Sequence, residues 1–317
     1  MSDHKEAKSF SRFGYIMVAA GAAIGLGNIW KFPYLAYGDG GGAFVLIYIV
    51  ICILLGHPIV QAEQAVGRRG RASAAASYGV IHPKWRFVGV INIVCTFLID
   101  IYYLVVSGWV LKYFVTYVVS GDFGKDKQAY FDNYISSTTQ PLIYSLIIIA
   151  IIVFFLFFGI TNIVEKASKV IMPMLAVLLL VCGIYALIVV PGAVDGLKYY
   201  FVPDFSKFGM QQFADACMQV CFSVGIGWGI FTTLGASMDK DANLKADAWW
   251  VDICDTFIAL LAGFVIIPTV VGTGSEMSSG PSLVFVAMTQ IFETLPGGRM
   301  IGIFFFASLI FAVISTF

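Results

Sequence analysis

The sequence predicts an all-α membrane protein, and three observations carry that prediction. Hydrophobic residues fill 59% and charged residues 12% of the 317 positions, against about 45–50% and about 25% in soluble domains. Mean hydropathy is +0.88. Apolar runs of roughly the 20 residues that cross a bilayer as a helix recur along the whole chain. A water-soluble fold of this size could not cover so much apolar surface, so lipid is the expected solvent. Lys and Arg (19) balance Asp and Glu (19). That balance provides no basic field for nucleic acid and no acidic tail.

Eight runs qualify or nearly qualify as spans: 13–37, 43–66, 87–119, 141–159, 167–190, 209–238, 248–273 and 297–317. The third, fifth and seventh are long and uninterrupted, so they should tilt or project beyond the lipid. Polar punctuation falls at 67–86, 120–140, 159–166, 191–207, 239–247 and 274–298. Within the last, Leu283, Val284, Val286, Ala287, Ile291 and Phe292 recur at helical spacing over too short a stretch to span. An outer helix packed down onto the bundle is expected there, with an amphipathic surface helix as the alternative. The polar N-terminal dozen shows no signal-peptide cleavage site. Placing it in the cytoplasm puts Lys5, Lys8, Arg12, Arg68, Arg69, Arg71, Lys84, Arg86, Lys166, Lys169, Lys240 and Lys245 inside, with roughly half as many outside. The chain stops at Phe317 within an apolar run, without cap, Gly or basic stop, so a longer protein is expected. All six cysteines (Cys52, Cys95, Cys182, Cys217, Cys221, Cys254) sit in apolar runs as small hydrophobes. Neither C-x-x-C nor an N-x-[ST] acceptor occurs, which fits a bacterial inner membrane.

Two spans contain their own interruptions. The first holds Gly21, Gly25 and Gly27, then Asn28, Lys31 and Pro33; the sixth holds Gln219, Ser223, Gly225, Gly227 and Gly229. Glycine in a helix interior costs about 1 kcal/mol and proline more. Close helix packing through small residues would explain one such span. Two in corresponding positions point instead to an inverted repeat whose unwound helices line a central site. The expected fold is therefore a five-plus-five helix inverted-repeat transporter, with broken first and sixth helices and about eight spans present. Residues 1–317 would form one domain, with the first repeat at 13–190 and an incomplete second repeat at 209–317. Polar groups at membrane depth fit this: Asn28, Tyr48, Glu63, Asp100, Tyr103, Gln219, Ser223, Asp255, Ser315 and Thr316. A carboxylate there needs a partner or a task. Glu63 reads as an acid tying span 2 to unwound backbone and Asp255 as functional; Asp100 stays open between the two.

Specific runs carry a resemblance. Ser11-Arg12-Phe13-Gly14 is followed by Ala19-Ala20-Gly21-Ala22-Ala23-Ile24-Gly25-Leu26-Gly27-Asn28-Ile29-Trp30-Lys31-Phe32-Pro33-Tyr34. Gly40-Gly41-Gly42-Ala43-Phe44, Gly56-His57-Pro58, Glu63-Gln64-Ala65-Val66-Gly67-Arg68, Tyr102-Tyr103, Gly108-Trp109, Ala262-Gly263, Pro268 and Gly280-Pro281-Ser282-Leu283-Val284-Phe285 continue it. Together these resemble the neurotransmitter:sodium symporter family over essentially the whole chain. The resemblance implies sodium-coupled uptake of an amino acid by alternating access, with two sodium ions and no organic cofactor. Its first sodium site would use the Ala23 carbonyl, the Asn28 amide oxygen, Ser223, Asp255 and the substrate carboxylate. Its second would use carbonyls of Gly21, Ile24 and Ala312 with hydroxyls of Ser315 and Thr316. Oxygen ligands suit such a hard cation. The substrate carboxylate would meet Leu26 and Gly27 N–H groups and the Tyr103 hydroxyl, and the amine would meet carbonyls of Ala23, Phe222 and Ser223. Ile99, Tyr103, Phe222, Gly225, Trp228 and Thr316 would wall the side-chain pocket, and Lys31 would serve the outer gate with a partner beyond Phe317.

Departures from the family pattern sharpen the expectation. Asp255 stands where many members have Asn. The positions matching a chloride site in animal members are Tyr48, Gln219 and Ser223, with Ala259 where a hydroxyl would stand. Asp255 is thus expected to supply the negative charge and make transport chloride-independent. Gly225 replaces a bulkier residue, so a large hydrophobic or aromatic amino acid is expected. The tyrosine usual near the inner end of span 6 is missing from Leu234-Gly235-Ala236-Ser237. A different family on the same architecture would lack the Gly-Leu-Gly-Asn run, and no repeated pore signature suggests a channel. An enzyme is not expected, because His4, His57 and His82 lie near ends or loops and none adjoins a Ser or Cys nucleophile.

Overall fold

The computed structural model describes residues 10–157, 164–274, 277 and 280–316. Span 1 begins with α1 (Arg12–Ala23), whose N-cap Ser11 accepts from the Gly14 N–H at 3.1 Å. Ile24 is extended (φ −72°, ψ 105°) and ends the helix. The chain resumes as a π-helical turn over Gly27–Lys31 and continues into α2 (Phe32–Gly38), with the two halves bent by 62°. Pro33 lies where the π turn passes into α2, and its missing N–H leaves one bond to the preceding turn unmade. Span 2 joins α3 (Gly42–Ile51) to α4 (His57–Gly70) through a second π turn, Cys52–Gly56.

A short α5 (Ala74–Ile81) precedes α6 (Arg86–Val119). At 34 residues α6 is about 50 Å long and overshoots a hydrocarbon core of about 30 Å, as its run suggested. Opposite α5 in the order of crossings lies α7 (Lys127–Ser136), capped by Asp126, which accepts from the Ala129 N–H at 2.9 Å. It meets α8 (Thr139–Phe157) at 77°. Then come α9 (Glu165–Val189), α10 (Ala193–Phe201), the two halves of span 6, α11 (Met210–Val224) and α12 (Ile230–Ala236), and the 30-residue α13 (Leu244–Thr273). A π turn at Leu283–Ala287, α14 (Met288–Thr294) and α15 (Gly298–Thr316) complete the described chain. Gly42–Gly70, Pro83–Val119, Glu165–Val189 and Leu244–Thr273 cross a bilayer's length as continuous apolar helices. The broken first and sixth spans fall where the glycines placed them.

The segment before α15 packs on the bundle and is not a surface helix. Leu283, Val284, Phe285 and Met288 are fully buried, and the Phe285 ring meets Tyr113 at 4.9 Å and Phe131 at 5.5 Å. Helices α5, α7 and α10 lie inside stretches that read as polar punctuation. Residues 1–9, which include Lys5 and Lys8, fall outside the described residues, as does the Ser315 side chain.

Helices α4 and α12 meet through glycine. A Cβ on Gly67 would fall 1.9 Å from the Thr232 carbonyl oxygen, and one on Gly235 2.5 Å from that of Gln64. Backbones therefore touch, the arrangement small residues allow between membrane helices. Arg68 extends the joint by donating to the Ala242 carbonyl at 2.7 Å, and Arg71 donates to the Met238 carbonyl. Gly67→Ala cannot be accommodated by side-chain rotation. It should cost about 1–3 kcal/mol of stability, seen as a lowered unfolding midpoint in detergent, whereas Gly38→Ala, with open space at its Cβ, should lower it far less.

Candidate functional site

The break in span 1 is held by a side chain of its own and by side chains of other spans. The Gly25 N–H donates to Asn28 Oδ1 at 3.1 Å, and the Leu26 N–H donates to the Tyr103 hydroxyl at 3.1 Å. In an unbroken helix these two groups would bond the Gly21 and Ala22 carbonyls, so the break releases both. Thr316 Oγ1 lies 2.9 Å from the Ile24 carbonyl, 2.8 Å from that of Ala312 and 3.2 Å from the Tyr103 hydroxyl. Ile24, Ala312 and Thr316, expected at the second sodium site, thus come together from spans 1 and 8 beside a released Gly21 carbonyl. A Cβ on Gly25 would sit 3.1 Å from Tyr103 OH and 3.6 Å from Thr316 Oγ1, so only glycine keeps that space.

Asn28, Ser223 and Asp255 meet one turn deeper. Asn28 Nδ2 faces Asp255 Oδ1 at 2.8 Å and Ser223 Oγ at 2.9 Å, and Ser223 Oγ donates to Asp255 Oδ2 at 2.8 Å. All three are buried, Asp255 completely. In this arrangement Asn28 turns the oxygen expected at the sodium site toward the Gly25 N–H. Its nitrogen, not its oxygen, faces Ser223 and Asp255, because a donor belongs beside a carboxylate while the oxygen holds the Gly25 N–H. A half-turn of the amide would exchange them. With that half-turn, a buried carboxylate, a hydroxyl and an amide oxygen would face one point between the broken spans, a set of oxygens suited to a small hard cation.

Around this trio lie the positions matched to a chloride site. Gln219 Nε2 donates to the Gly27 carbonyl at 3.3 Å, Gln219 Oε1 is buried without a hydrogen-bond partner among the described residues, and the Tyr48 hydroxyl lies near Ser223 and Cys52. Tyr48 and Ala259 are both fully buried in one apolar cluster.

The break in span 6 rests on three left-handed glycines, Gly225 (φ 72°), Gly227 (φ 81°) and Gly229 (φ 75°). Glu63 Oε1 accepts from the Gly227 N–H at 2.8 Å, which ties span 2 to unwound backbone. Thr96 Oγ1 donates to the Trp228 carbonyl at 2.5 Å. Asn92, with its amide turned to satisfy both polar atoms, donates to the Gly227 carbonyl at 2.9 Å. Sequence reasoning missed Asn92 and Thr96. With Tyr103 and Ser107 they form a polar stripe at helical spacing along α6, a signal the surrounding apolarity hid. Gly225 also reads differently. Its φ excludes a side chain before size matters, and a Cβ would meet Ile230 at 3.2 Å and Trp228 at 3.4 Å, both from the same turn.

Phe222 and Trp228 make an edge-to-face pair at 5.5 Å, and the Phe222 ring presses on Gly27, where a Cβ would fall 2.4 Å from Cε1. Lys31 Nζ stands 4.4 Å above the Phe222 ring, a cation–π contact, with Asp215 within electrostatic reach. Ile99 is half-buried one turn before Tyr103 on α6, and Asp100 is half-buried beside it. Beyond α2, burial and then the Asp215 carboxylate push Asp39 up to about 6, with Gln212 offsetting part of the rise. His57 is neither terminal nor in a loop. It is buried in span 2 with Nδ1 2.9 Å from Asp252 Oδ2 and its ring stacked on Trp249 at 4.1 Å.

Comparison with known proteins agrees with this fold. An uncharacterised sodium-dependent transporter of Haemophilus influenzae is 33% identical over 96% of this chain and 70% of its own length. One from Bacillus subtilis is 33% identical over 100% of this chain and 71% of its own length. The mouse sodium- and chloride-dependent creatine transporter 1 is 27% identical over 96% of this chain and 56% of its own. The crystal structure of MhsT in complex with L-phenylalanine superposes with a TM-score of 0.89 at 34% identity, covering 98% of this chain and 72% of that one. The profile of the Sodium:neurotransmitter symporter family matches residues 7–121 and 131–317. With all-α architecture and broken first and sixth spans, the chain belongs to the sodium:neurotransmitter symporter family, integral membrane proteins that carry out sodium-coupled transport and are not enzymes.

Proposed function

We propose that this chain moves an amino acid inward with sodium, by alternating access about the two broken spans. The single observation that carries this reading is the buried Asn28–Ser223–Asp255 trio at the unwound centre. One sodium ion would sit among Asn28, Ser223, Asp255, the Ala23 carbonyl and the substrate carboxylate. A second would sit among the carbonyls of Gly21, Ile24 and Ala312 and the hydroxyls of Ser315 and Thr316. The substrate carboxylate would meet Leu26, Gly27 and Tyr103. Its side chain would lie against Ile99, Tyr103, Phe222, Gly225, Trp228 and Thr316, with Lys31 over Phe222 at the outer mouth. Residues 1–317 act as one domain, 13–190 as the first repeat, in the bacterial inner membrane with the N-terminus cytoplasmic.

The sodium assignment makes a direct demand on Asn28. Asn28→Ala removes the amide that joins the Gly25 N–H to Ser223 and Asp255, leaving a buried donor and a buried carboxylate without it. The sodium concentration for half-maximal binding should rise about tenfold or more, since interactions with charged groups are worth about 1.5–3 kcal/mol. An unchanged sodium requirement in that variant removes Asn28 from the site.

Substrate size follows from the wall. Apolar Ile99, Phe222 and Trp228 favour a large hydrophobic or aromatic side chain, in keeping with the L-phenylalanine held by MhsT. In a sodium-dependent binding screen of the twenty amino acids, leucine, phenylalanine, tyrosine or tryptophan should bind more tightly than glycine or alanine. The reverse order would overturn the size assignment.

Charge balance sets the chloride expectation. Two sodium ions and a zwitterion at the midplane leave excess positive charge, which is costly in lipid, and Asp255 answers it as a fixed carboxylate. Both Asp255 oxygens already accept hydrogen bonds, and Ala259, one turn on, offers no hydroxyl. Uptake at constant sodium should stay flat as gluconate replaces chloride. Asp255→Asn with Ala259→Ser should reduce uptake and make the remainder rise with chloride. A steep chloride requirement in the unmutated protein would leave Asp255 as a sodium ligand only.

A further inference from the structure

A second titratable cluster lies beside the candidate sodium site, outside the roles assigned so far. His57 opens α4 directly after the π turn of span 2, and Asp252 lies on α13 three residues before Asp255. Nδ1 of His57 is 2.9 Å from Asp252 Oδ2, with relative exposures of 7% for His57 and 4% for Asp252. Asp252 Oδ1 is buried without a hydrogen-bond partner among the described residues. The imidazole lies flat on Trp249, centroids 4.1 Å apart and rings inclined 21°. The stack covers one face of the imidazole whatever its charge. An imidazolium is favoured by a carboxylate at its edge and an indole face beneath it.

We propose that His57 and Asp252 form a proton-binding site whose occupancy sets the sodium affinity of the Asn28–Ser223–Asp255 site. The inference rests on the sodium site named above and adds a second ligand, the proton, at a separate pair. When neutral, the imidazole donates Nδ1–H to the Asp252 carboxylate and the pair carries one negative charge. Binding one proton makes it a neutral imidazolium–carboxylate pair, so the local charge rises by one unit. Asp252 and Asp255 are one helical turn apart on α13, a separation of roughly 5–6 Å between Cβ atoms. In a poorly screened interior, a unit change at that range alters cation binding strongly. Removing the negative charge weakens sodium binding, and by linkage sodium binding expels the proton.

The titratable and charged groups around the pair come from several elements. On α13, Lys245 and Asp255 act electrostatically on the pair, and Asp247 is taken by Arg12 of α1 at 2.8 Å. From span 2 come Cys52 and Tyr48 below and Glu63 above, the last bonded to Gly227. Helix α11 brings Ser223, Cys217 and Cys221, α12 brings no ionisable side chain, and α5 brings Tyr78 alone. His57 is the only side chain among these whose ordinary titration range spans neutral pH.

The test reads sodium affinity, with sodium gluconate replacing potassium gluconate at constant ionic strength and tryptophan fluorescence of the purified protein as the signal. Between pH 8.5 and pH 5 the sodium dissociation constant of the unmutated protein should rise about tenfold or more. In a weakly buffered solution near neutral pH, adding sodium should release protons. His57→Gln with Asp252→Asn keeps a neutral hydrogen-bonded pair and should flatten the pH dependence to less than about threefold while still binding sodium. A second variant, His57→Leu with Asp252→Leu, replaces the buried pair by apolar groups and should flatten it equally. A dependence that survives in either variant would assign it to Asp255 itself and overturn the inference, as would a pH-independent unmutated protein that binds sodium. No sodium response at any pH would remove the sodium site as well, so the two failures are distinguishable.

Discussion

Everything in this bundle depends on how the backbone groups freed by two helix breaks are met in a medium without water to meet them. At the first break, Asn28 and Tyr103 take the Gly25 and Leu26 N–H groups, and Thr316 lies on the Ile24 carbonyl. At the second, Glu63, Thr96 and Asn92 take the Gly227 N–H and the Trp228 and Gly227 carbonyls. The partners belong to spans 2, 3 and 8, and through Asn28 the first break is bonded to spans 6 and 7. The same bonds that make unwinding tolerable therefore draw those spans around the centre. Site and fold share one set of interactions.

Charge in the membrane interior follows the same economy. Asp252 and Asp255 lie one turn apart on α13 with partners from different directions, His57 of α4 for the first and Asn28 with Ser223 for the second, while Asp247 in the first turn pairs with Arg12 of α1. A carboxylate in lipid without such a partner would cost several kcal/mol. Helix α13 is thus pinned to spans 1, 2 and 6 by polar contacts placed within a strongly apolar helix.

What was legible in the sequence had a local cause. The eight apolar runs follow from the length a bilayer demands, and the broken spans from glycines placed where a helix would not choose them. The site trio was identified through the resemblance carried by the Gly-Leu-Gly-Asn run. What was not legible depends on distant partners or on backbone detail. His57 and Asp252 are 195 residues apart, and nothing near either one announces the other. The Asn28 amide orientation is decided by a carboxylate 227 residues away. Gly225 suggested a roomy pocket until its left-handed backbone showed that the turn requires it. Helix α7 was hidden because a single Asp126 cap, not hydrophobic periodicity, starts it.

The glycine contact between α4 and α12 has a mechanical meaning. With Gly67 and Gly235 seated against opposing carbonyls, and with Arg68 and Arg71 gripping the chain after α12, neither helix can slide or rotate against the other without breaking backbone contact. Span 2 and the second half of span 6 are therefore packed as one unit. That unit joins α11 through the left-handed glycines Gly225, Gly227 and Gly229, and Glu63, carried on α4, holds the joint through the Gly227 N–H. Through that bond α4 is tied to the break lying between Phe222 and Trp228, so span 2 bears on the backbone that sets both aromatic rings.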